Sequence, residues 1–315
     1  MRGCMFGLVA VGALGAQPAV ANDQVWREMS EKVIEARSLK SVEIVNSRGR
    51  VDLLPSQDGK IHLTALKIVR YCTRERAEVV ARGITVETST VGDRFRVEVL
   101  YQKHRRIQIG FWDIFRIDGM TRPGYEVQIS CQVPPGLSVS ARETSGDIRS
   151  DGIAGPQELK STSGDVEVGS PGDRVDASST SGDVTASGLR QARVRSVSGD
   201  IAIRDASGAL RVGTTSGSIR VTGARDSLSL SSVSGDIRTD SAPRGLDAGT
   251  TSGDIVAQGV AGTVKVSTSS GDVRLDLREP LRGVDANTSS GEIRLQLASS
   301  VACHCHSAVP CTNSA

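Results

Sequence analysis

Ser145-Gly146-Asp147-Ile148 is the first full copy of a phrase, Ser-Gly-Asp followed by Ile or Val, that governs the rest of the chain. It returns with small variations at glycines 164, 182, 199, 217, 235, 253, 271 and 291. The steps between these glycines are 18, 18, 17, 18, 18, 18, 18 and 20 residues. A fixed period near 20 residues marks a stacked repeat architecture. Counted from each glycine, position +2 is Ile or Val in every copy, from Ile148 and Val166 to Val273 and Ile293. Position −5 is also apolar, as in Ala141, Leu159, Val194, Val212 and Val266. Position +4 is usually apolar and −7 often aliphatic, so apolar residues stand two apart on both sides of the turn. That is the period of a strand.

Each coil therefore reads as two short strands joined by the Ser-Gly-Asp turn, with a looser second turn near Gly188, Gly208, Gly223, Gly245, Gly262 or Gly283. Eighteen residues are too few for a strand-plus-helix unit, which needs about 30. A meander of hairpins would not keep equivalent residues in register. The expected fold is all-β: a parallel two-sided β-solenoid whose coils rise about 4.8 Å each, so that nine would span about 43 Å.

Within the turn, the glycine is expected to supply positive φ. The Ser or Thr residues before it can bond the backbone or line the coil interior. Position +1 carries Asp147, Asp165, Asp183, Asp200, Asp236, Asp254 and Asp272, with Ser218 and Glu292 as departures. These aspartates read first as turn residues whose carboxylates bond nearby backbone N–H groups. The competing reading is a stacked carboxylate stripe that holds calcium. One carboxylate per 18 residues supplies few ligands to a hard cation that takes 6–8 oxygens, so the turn role is preferred. No metal, cofactor or catalytic residue is assigned.

The solenoid repeats occupy 137–297, and the region before them has its own texture. Residues 1–21 read as a signal peptide: Arg2, a short apolar run, then Ala19-Val20-Ala21 before Asn22. Cys4 lies at the wrong end of that run for a lipoprotein acceptor, and no later segment is apolar enough to span a bilayer. Residues 22–136 form a β-rich N-terminal region. It opens with a short helix expected near Trp26 to Glu31. Around Gly49, Ile44 and Val51 keep the spacing of the later coils, so a degenerate first coil is expected over 41–53. Ile61–Leu66 reads as a strand and Arg74–Arg82 as a short helix stopped by Gly83. Strands 84–88 and 94–101 form a hairpin around Val91-Gly92-Asp93.

Residues 102–124 interrupt this pattern with His104-Arg105-Arg106, Phe111, Trp112 and Phe115, an insertion holding three of the chain's nine aromatics. It is expected to cover a sheet edge, with sugar stacking as the alternative. Beyond Leu297 the texture changes again. Residues 298–315 carry Cys303, His304, Cys305, His306 and Cys311, a set without the ligand spacing of structural zinc, read here as a disordered tail. Outside the signal peptide and this tail, Cys72 and Cys131 are candidates for a disulfide in an oxidising compartment, with two buried thiols as the alternative.

A formal charge of +2, from 38 basic and 36 acidic residues, points to neither nucleic acid nor an acidic substrate. Aromatics are only 3% of the chain, so stacked thin strands suit it better than a conventional core.

The signal peptide, Val42-Glu43-Ile44-Val45-Asn46 before a glycine turn, the helix at 74–82 and the Thr-Ser-Gly-Asp-Ile/Val repeats resemble a family of bacterial exported β-strand-repeat proteins, described as adhesin-like and of unknown function. The resemblance covers about residues 40–297 and implies a fold without established catalytic residues; the 298–315 tail departs from it. The expected function is a non-enzymatic protein of the cell envelope, periplasmic, surface-bound or secreted. It would act as an adhesin-like or scaffold β-solenoid whose partner is an envelope protein or a polysaccharide. One alternative is a carbohydrate-active enzyme, a polysaccharide lyase or hydrolase on a β-helix. The other is an envelope-stress component that self-assembles end-on through Leu295 and Leu297.

Overall fold

The computed structural model describes residues 25–70, 74–101 and 124–297. Two compact units, residues 1–189 and 190–315, divide the chain. Each is built as a parallel β-solenoid with turns of about 18 residues, and each is taken by itself below.

The first unit begins with β1 (Val25–Glu35), β2 (Ser41–Val45), β3 (Arg48–Pro55), β4 (Lys60–Arg70), α1 (Arg74–Arg82), β5 (Ile84–Val91) and β6 (Arg94–Tyr101). It continues with β7 (Gly124–Val133), β8 (Ser138–Glu143), β9 (Ser145–Asp151), β10 (Gln157–Ser161), β11 (Val166–Gly169), β12 (Val175–Ser179) and β13 (Val184–Ser187). One face runs β5-β6-β2-β8-β10-β12 and the other β1-β4-β7-β3-β9-β11-β13. Pairing is parallel from β6 and β7 onward, as stacked coils require. The pairs β5–β6, β1–β4 and β4–β7 are antiparallel.

The expected first coil is present. Gly49 lies in register with Gly146, and Val51 with Ile148. Its place in the order is not the one its position in the chain suggests. The β2–β3 coil lies between β6–β7 on one side and β8–β9 on the other. The chain thus lays down this coil first, builds the end of the unit with β4, α1 and β5, and returns on both sides of it.

The segment expected to be helical at Trp26–Glu31 belongs instead to β1, eleven residues paired antiparallel with β4. Its apolar residues at 25, 29 and 33 have helical spacing. Pairing along the whole length of β4 supplies more backbone hydrogen bonds than an isolated short helix can, and tertiary context overrides the local preference. The helix at 74–82 forms as expected. Ala77, Val80 and Ala81, at i, i+3 and i+4, are its buried stripe, and it packs on β4 and β1.

The second unit comprises β14 (Ala192–Ser196), β15 (Ile201–Arg204), β16 (Leu210–Gly213), β17 (Ile219–Thr222), β18 (Leu228–Ser231), β19 (Ile237–Thr239), β20 (Leu246–Ser252), β21 (Ile255–Ser270), β22 (Val273–Ser290) and β23 (Ile293–Leu297). One sheet is β14-β16-β18-β20 and the later halves of β21 and β22. The other is β15-β17-β19, the earlier halves of β21 and β22, and β23. Every pair is in parallel register, so like stacks on like: Ile201, Ile219, Ile237 and Ile255 form one buried column. The last coil bares the same positions, with Val284, Ile293 and Leu295 37–39% exposed.

Candidate binding surface

The repeated turn is a device for joining coils, and its geometry assigns each residue a task. A Cβ on Gly146 would stand 2.0 Å from the Gly49 carbonyl oxygen. On Gly164, Gly182, Gly217 and Gly235 it would stand 2.0–2.2 Å from the carbonyl of the glycine one coil earlier. The glycines therefore stack backbone on backbone, and no larger residue fits. This corrects the expected reason for glycine. In this column only Gly49, Gly253, Gly271 and Gly291 have positive φ, while Gly146, Gly164, Gly182, Gly217 and Gly235 do not. Positive φ serves the second turn, at Gly152, Gly188, Gly223 and Gly262, where φ is 68–79°.

Position −3 carries a buried hydroxyl that donates to the glycine carbonyl of the preceding coil. Ser161 bonds Gly146, Ser179 bonds Gly164, Thr214 bonds Gly199 and Thr250 bonds Gly235, at 2.9–3.2 Å. Ser232, Thr268 and Thr288 repeat the contact on Gly217, Gly253 and Gly271 at 3.1–3.3 Å. In the first coil Asn46 occupies the same position, and its amide donates to the carbonyl of Val127, the register partner of Gly49, at 3.0 Å.

The aspartates complete the joint. Asp147 Oδ1 accepts from the Asp165 N–H at 3.0 Å and Asp165 Oδ1 from the Asp183 N–H at 2.9 Å. In the second unit Asp200 accepts from Ser218, Asp236 from Asp254, Asp254 from Asp272 and Asp272 from Glu292, at 2.8–3.0 Å. The acceptor role is the expected one, but the donor lies one coil further on and not in the aspartate's own turn. The Glu292 N–H is the main cause that holds the Asp272 carboxyl below its ordinary range. Arg238 and Arg274 bond Asp236 and Asp272 at 2.9 and 2.8 Å, which offsets repulsion along the stripe. Among the described residues no group of three or more His, Cys, Asp or Glu side chains is placed to hold a metal ion.

Of the proposed disulfide, Cys131 is a buried thiol on β7, pushed up to about 12 by burial. Cys72 lies outside the described residues, as do the 102–123 insertion, the signal segment and the 298–315 tail.

What remains to meet a ligand is the outward face of the strands. In the first unit the arginines there are answered by acids: Glu43 receives Arg142 at 2.8 Å, Arg94 at 3.4 Å and Arg96 at 3.5 Å. Arg149 faces Glu167 at 3.7 Å. The start of the second unit differs. Arg193 and Arg195 alternate outward on β14 between buried Ala192, Val194 and Ser196, and Arg211 does so on β16. Arg193 stands directly opposite Arg211, and Arg195 opposite Gly213, which leaves a notch without a side chain. None of these three arginines has a carboxylate partner among the described residues. Their neighbours on β18 are Ser229 and Ser231, and the first acid in that direction is Asp247 on β20; in the coil before, Asp176 holds the place equivalent to Arg193. Like charges set directly opposite destabilise a sheet, so the Arg193–Arg211 pair is a feature the fold itself does not need. The repeat pattern hid this group, because outward positions vary freely from coil to coil. Comparing equivalent places in neighbouring coils would have found Arg195, which has Ser178 before it and Gly213 after it.

The family described as Toastrack DUF4097 matches residues 38–191 and again 189–307. Among solved structures, the chain is similar to a "putative adhesin" of Parabacteroides distasonis, with 10% identity, TM-score 0.41, and 85% of this chain and 96% of that one covered. A "putative adhesin" of Bacteroides fragilis has 12% identity and TM-score 0.37, with coverage of 89% and 100%. A "putative lipid binding protein" of P. distasonis has 13% identity and TM-score 0.37, with coverage of 84% and 96%. At these TM-scores the neighbours carry no argument about the role of this chain. No curated protein matches.

Proposed function

The chain belongs to the Toastrack DUF4097 family, and from that premise we propose that it is an exported, non-enzymatic protein of the cell envelope whose coils present an adhesin-like surface to an acidic polysaccharide. The observation that carries this reading is the Arg193, Arg195 and Arg211 group, three outward guanidiniums on adjacent strands that make no ion pair within the second unit. A guanidinium fork binds carboxylate or sulfate in two-point fashion, and the adjacent Ser229 and Ser231 offer hydroxyls to sugar hydroxyl groups. Residues 190–315 contain no Phe, Trp or Tyr. Such a surface has no aromatic platform for bases or sugar rings, so binding there rests on charge and hydroxyl contacts. Binding built on exposed charge is weak per contact and falls with salt.

The test is co-sedimentation of the mature chain with polygalacturonate and with neutral dextran, together with release of reducing ends. Retention by polygalacturonate at low salt, none by dextran, and no new ends is the expected result. Equal retention by both polymers overturns the assignment of the surface, and polymer cleavage overturns the non-enzymatic reading. End-on association through Val284, Ile293 and Leu295 is the accompanying proposal. Sedimentation at rising concentration tests it, and a concentration-independent monomer removes it.

A further inference from the structure

One step of the donor column is filled by a carboxyl side chain. Glu143 occupies position −3 of the Gly146 turn. It is in register with Ser161, as Gly49 is with Gly146. Ser161 gives its proton to the Gly146 carbonyl, so the Gly49 carbonyl is the oxygen that corresponds to Glu143. Asn46, the next step down, donates from its amide to Val127 in the same way. Every neighbouring step thus presents a donor to a backbone carbonyl. A carboxylate there presents only acceptors.

The surroundings do not rescue the charge. Glu143 is 3% exposed, and neither carboxyl oxygen makes a hydrogen bond of normal geometry. The Asn46 amide and the Thr144 and Ser145 N–H groups offset only part of the cost of burial, which lifts the carboxyl to about 7. From β9, Asp147 adds a second negative charge that raises it further. From β6, the Tyr101 hydroxyl lies 2.7 Å from Asn46 Oδ1 and 2.9 Å from the Arg48 carbonyl. Arg48 on β3 lies over the Tyr125 ring of β7, 4.6 Å from its centre. Arg142, the preceding residue of β8, is bonded to Glu43. Among the described residues no cation bonds Glu143.

We propose that Glu143 is a neutral acid in the folded protein, closing the donor column by giving its proton to the Gly49 carbonyl, so that loss of this proton loosens the β2–β3 coil from the β8–β9 coil. The sign follows from linkage. The folded state keeps the proton to higher pH than the unfolded chain, so this contribution to stability is complete below about pH 4.5 and is lost as pH rises towards about 7. The device is reversible, and it acts on the one coil that the chain lays down before it builds the end of the unit.

The experiment compares the mature protein with Glu143→Gln, whose amide donates at every pH, and with Glu143→Thr, which restores the usual hydroxyl. Hydrogen exchange of residues 41–55 is read at the same pH for all three, so intrinsic rates cancel. At pH 8 the wild-type segment is expected to exchange about tenfold faster than in either variant, and at pH 5 the difference should vanish. Equal exchange at both values overturns the proposal. The wild-type protein supplies an independent reading through a carbon-13 titration of the Glu143 carboxyl. A midpoint near 7 supports the neutral acid, and a midpoint at or below 4.5 refutes it even if neither variant folds.

Discussion

The coils of the second unit and the first coil of the first unit solve the same problem with different chemistry. From Thr214 to Thr288 the step between coils is a hydroxyl on a glycine carbonyl, an aspartate on a backbone N–H, and a glycine with no room for a side chain. At Gly49 the glycine remains, but the donors become Asn46 and Glu143, and the register partner below is Val127. The aliphatic ladder passes through both without change. The apolar column and the glycine stack are therefore what the architecture requires, while the polar joint is open to substitution. Where a carboxyl replaces the hydroxyl, the coil gains a buried titrating group that the hydroxyl steps lack.

The glycine column should be the hardest feature to alter. Gly235→Val would set a branched side chain where even a Cβ lies 2.0 Å from the Gly217 carbonyl. A loss of about 4 kcal/mol or more is expected in chemical denaturation, and a loss below about 1 kcal/mol would break the account of the stack. Next is the ladder. Ile219→Ala removes a side chain that is 1% exposed and should cost about 2–5 kcal/mol. Ile293→Ala, at a site 37% exposed, should cost less than about 1 kcal/mol. Equal losses would show that the last coil is covered after all.

Smaller is the hydroxyl joint. Thr250→Val leaves the Gly235 carbonyl without its side-chain donor, for about 1 kcal/mol. Smallest is the aspartate stripe. The double change Asp254→Asn, Asp272→Asn keeps an oxygen that can accept from the next coil's N–H, so the melting temperature should stay nearly the same, with or without calcium. A calcium-dependent rise in the wild-type protein that the double variant lacks would restore the cation reading.

Much of this architecture is legible in the order of residues alone. The period of 18, the alternation around each glycine, the hairpin at Val91-Gly92-Asp93 and the helix at 74–82 are local patterns, and local patterns survive folding. Gly49 is legible as the start of the solenoid because Ile44 and Val51 keep the coil spacing. The place of that coil is not, since a repeat says what stacks but not in which order the chain visits it. Trp26–Glu31 misleads because helical spacing over so few residues cannot outweigh pairing along β4. The aspartates are legible as backbone acceptors, but their donors are a coil away and no local turn rule reaches them. Arg193, Arg195 and Arg211 stand in plain view without being distinguishable. Their grouping lies across adjacent strands, Arg193 opposite Arg211 and Arg195 opposite Gly213, and adjacency needs the register.

The central claim is that the recurring phrase builds the stack, while contact with a ligand belongs to what individual coils display. Titration calorimetry of polygalacturonate into two variants, Arg193→Ala/Arg195→Ala/Arg211→Ala and Asp254→Asn/Asp272→Asn, tests it most directly. The account predicts about a tenfold loss of affinity in the first and wild-type affinity in the second. Undiminished binding by the arginine variant, with binding lost in the aspartate variant, would contradict it.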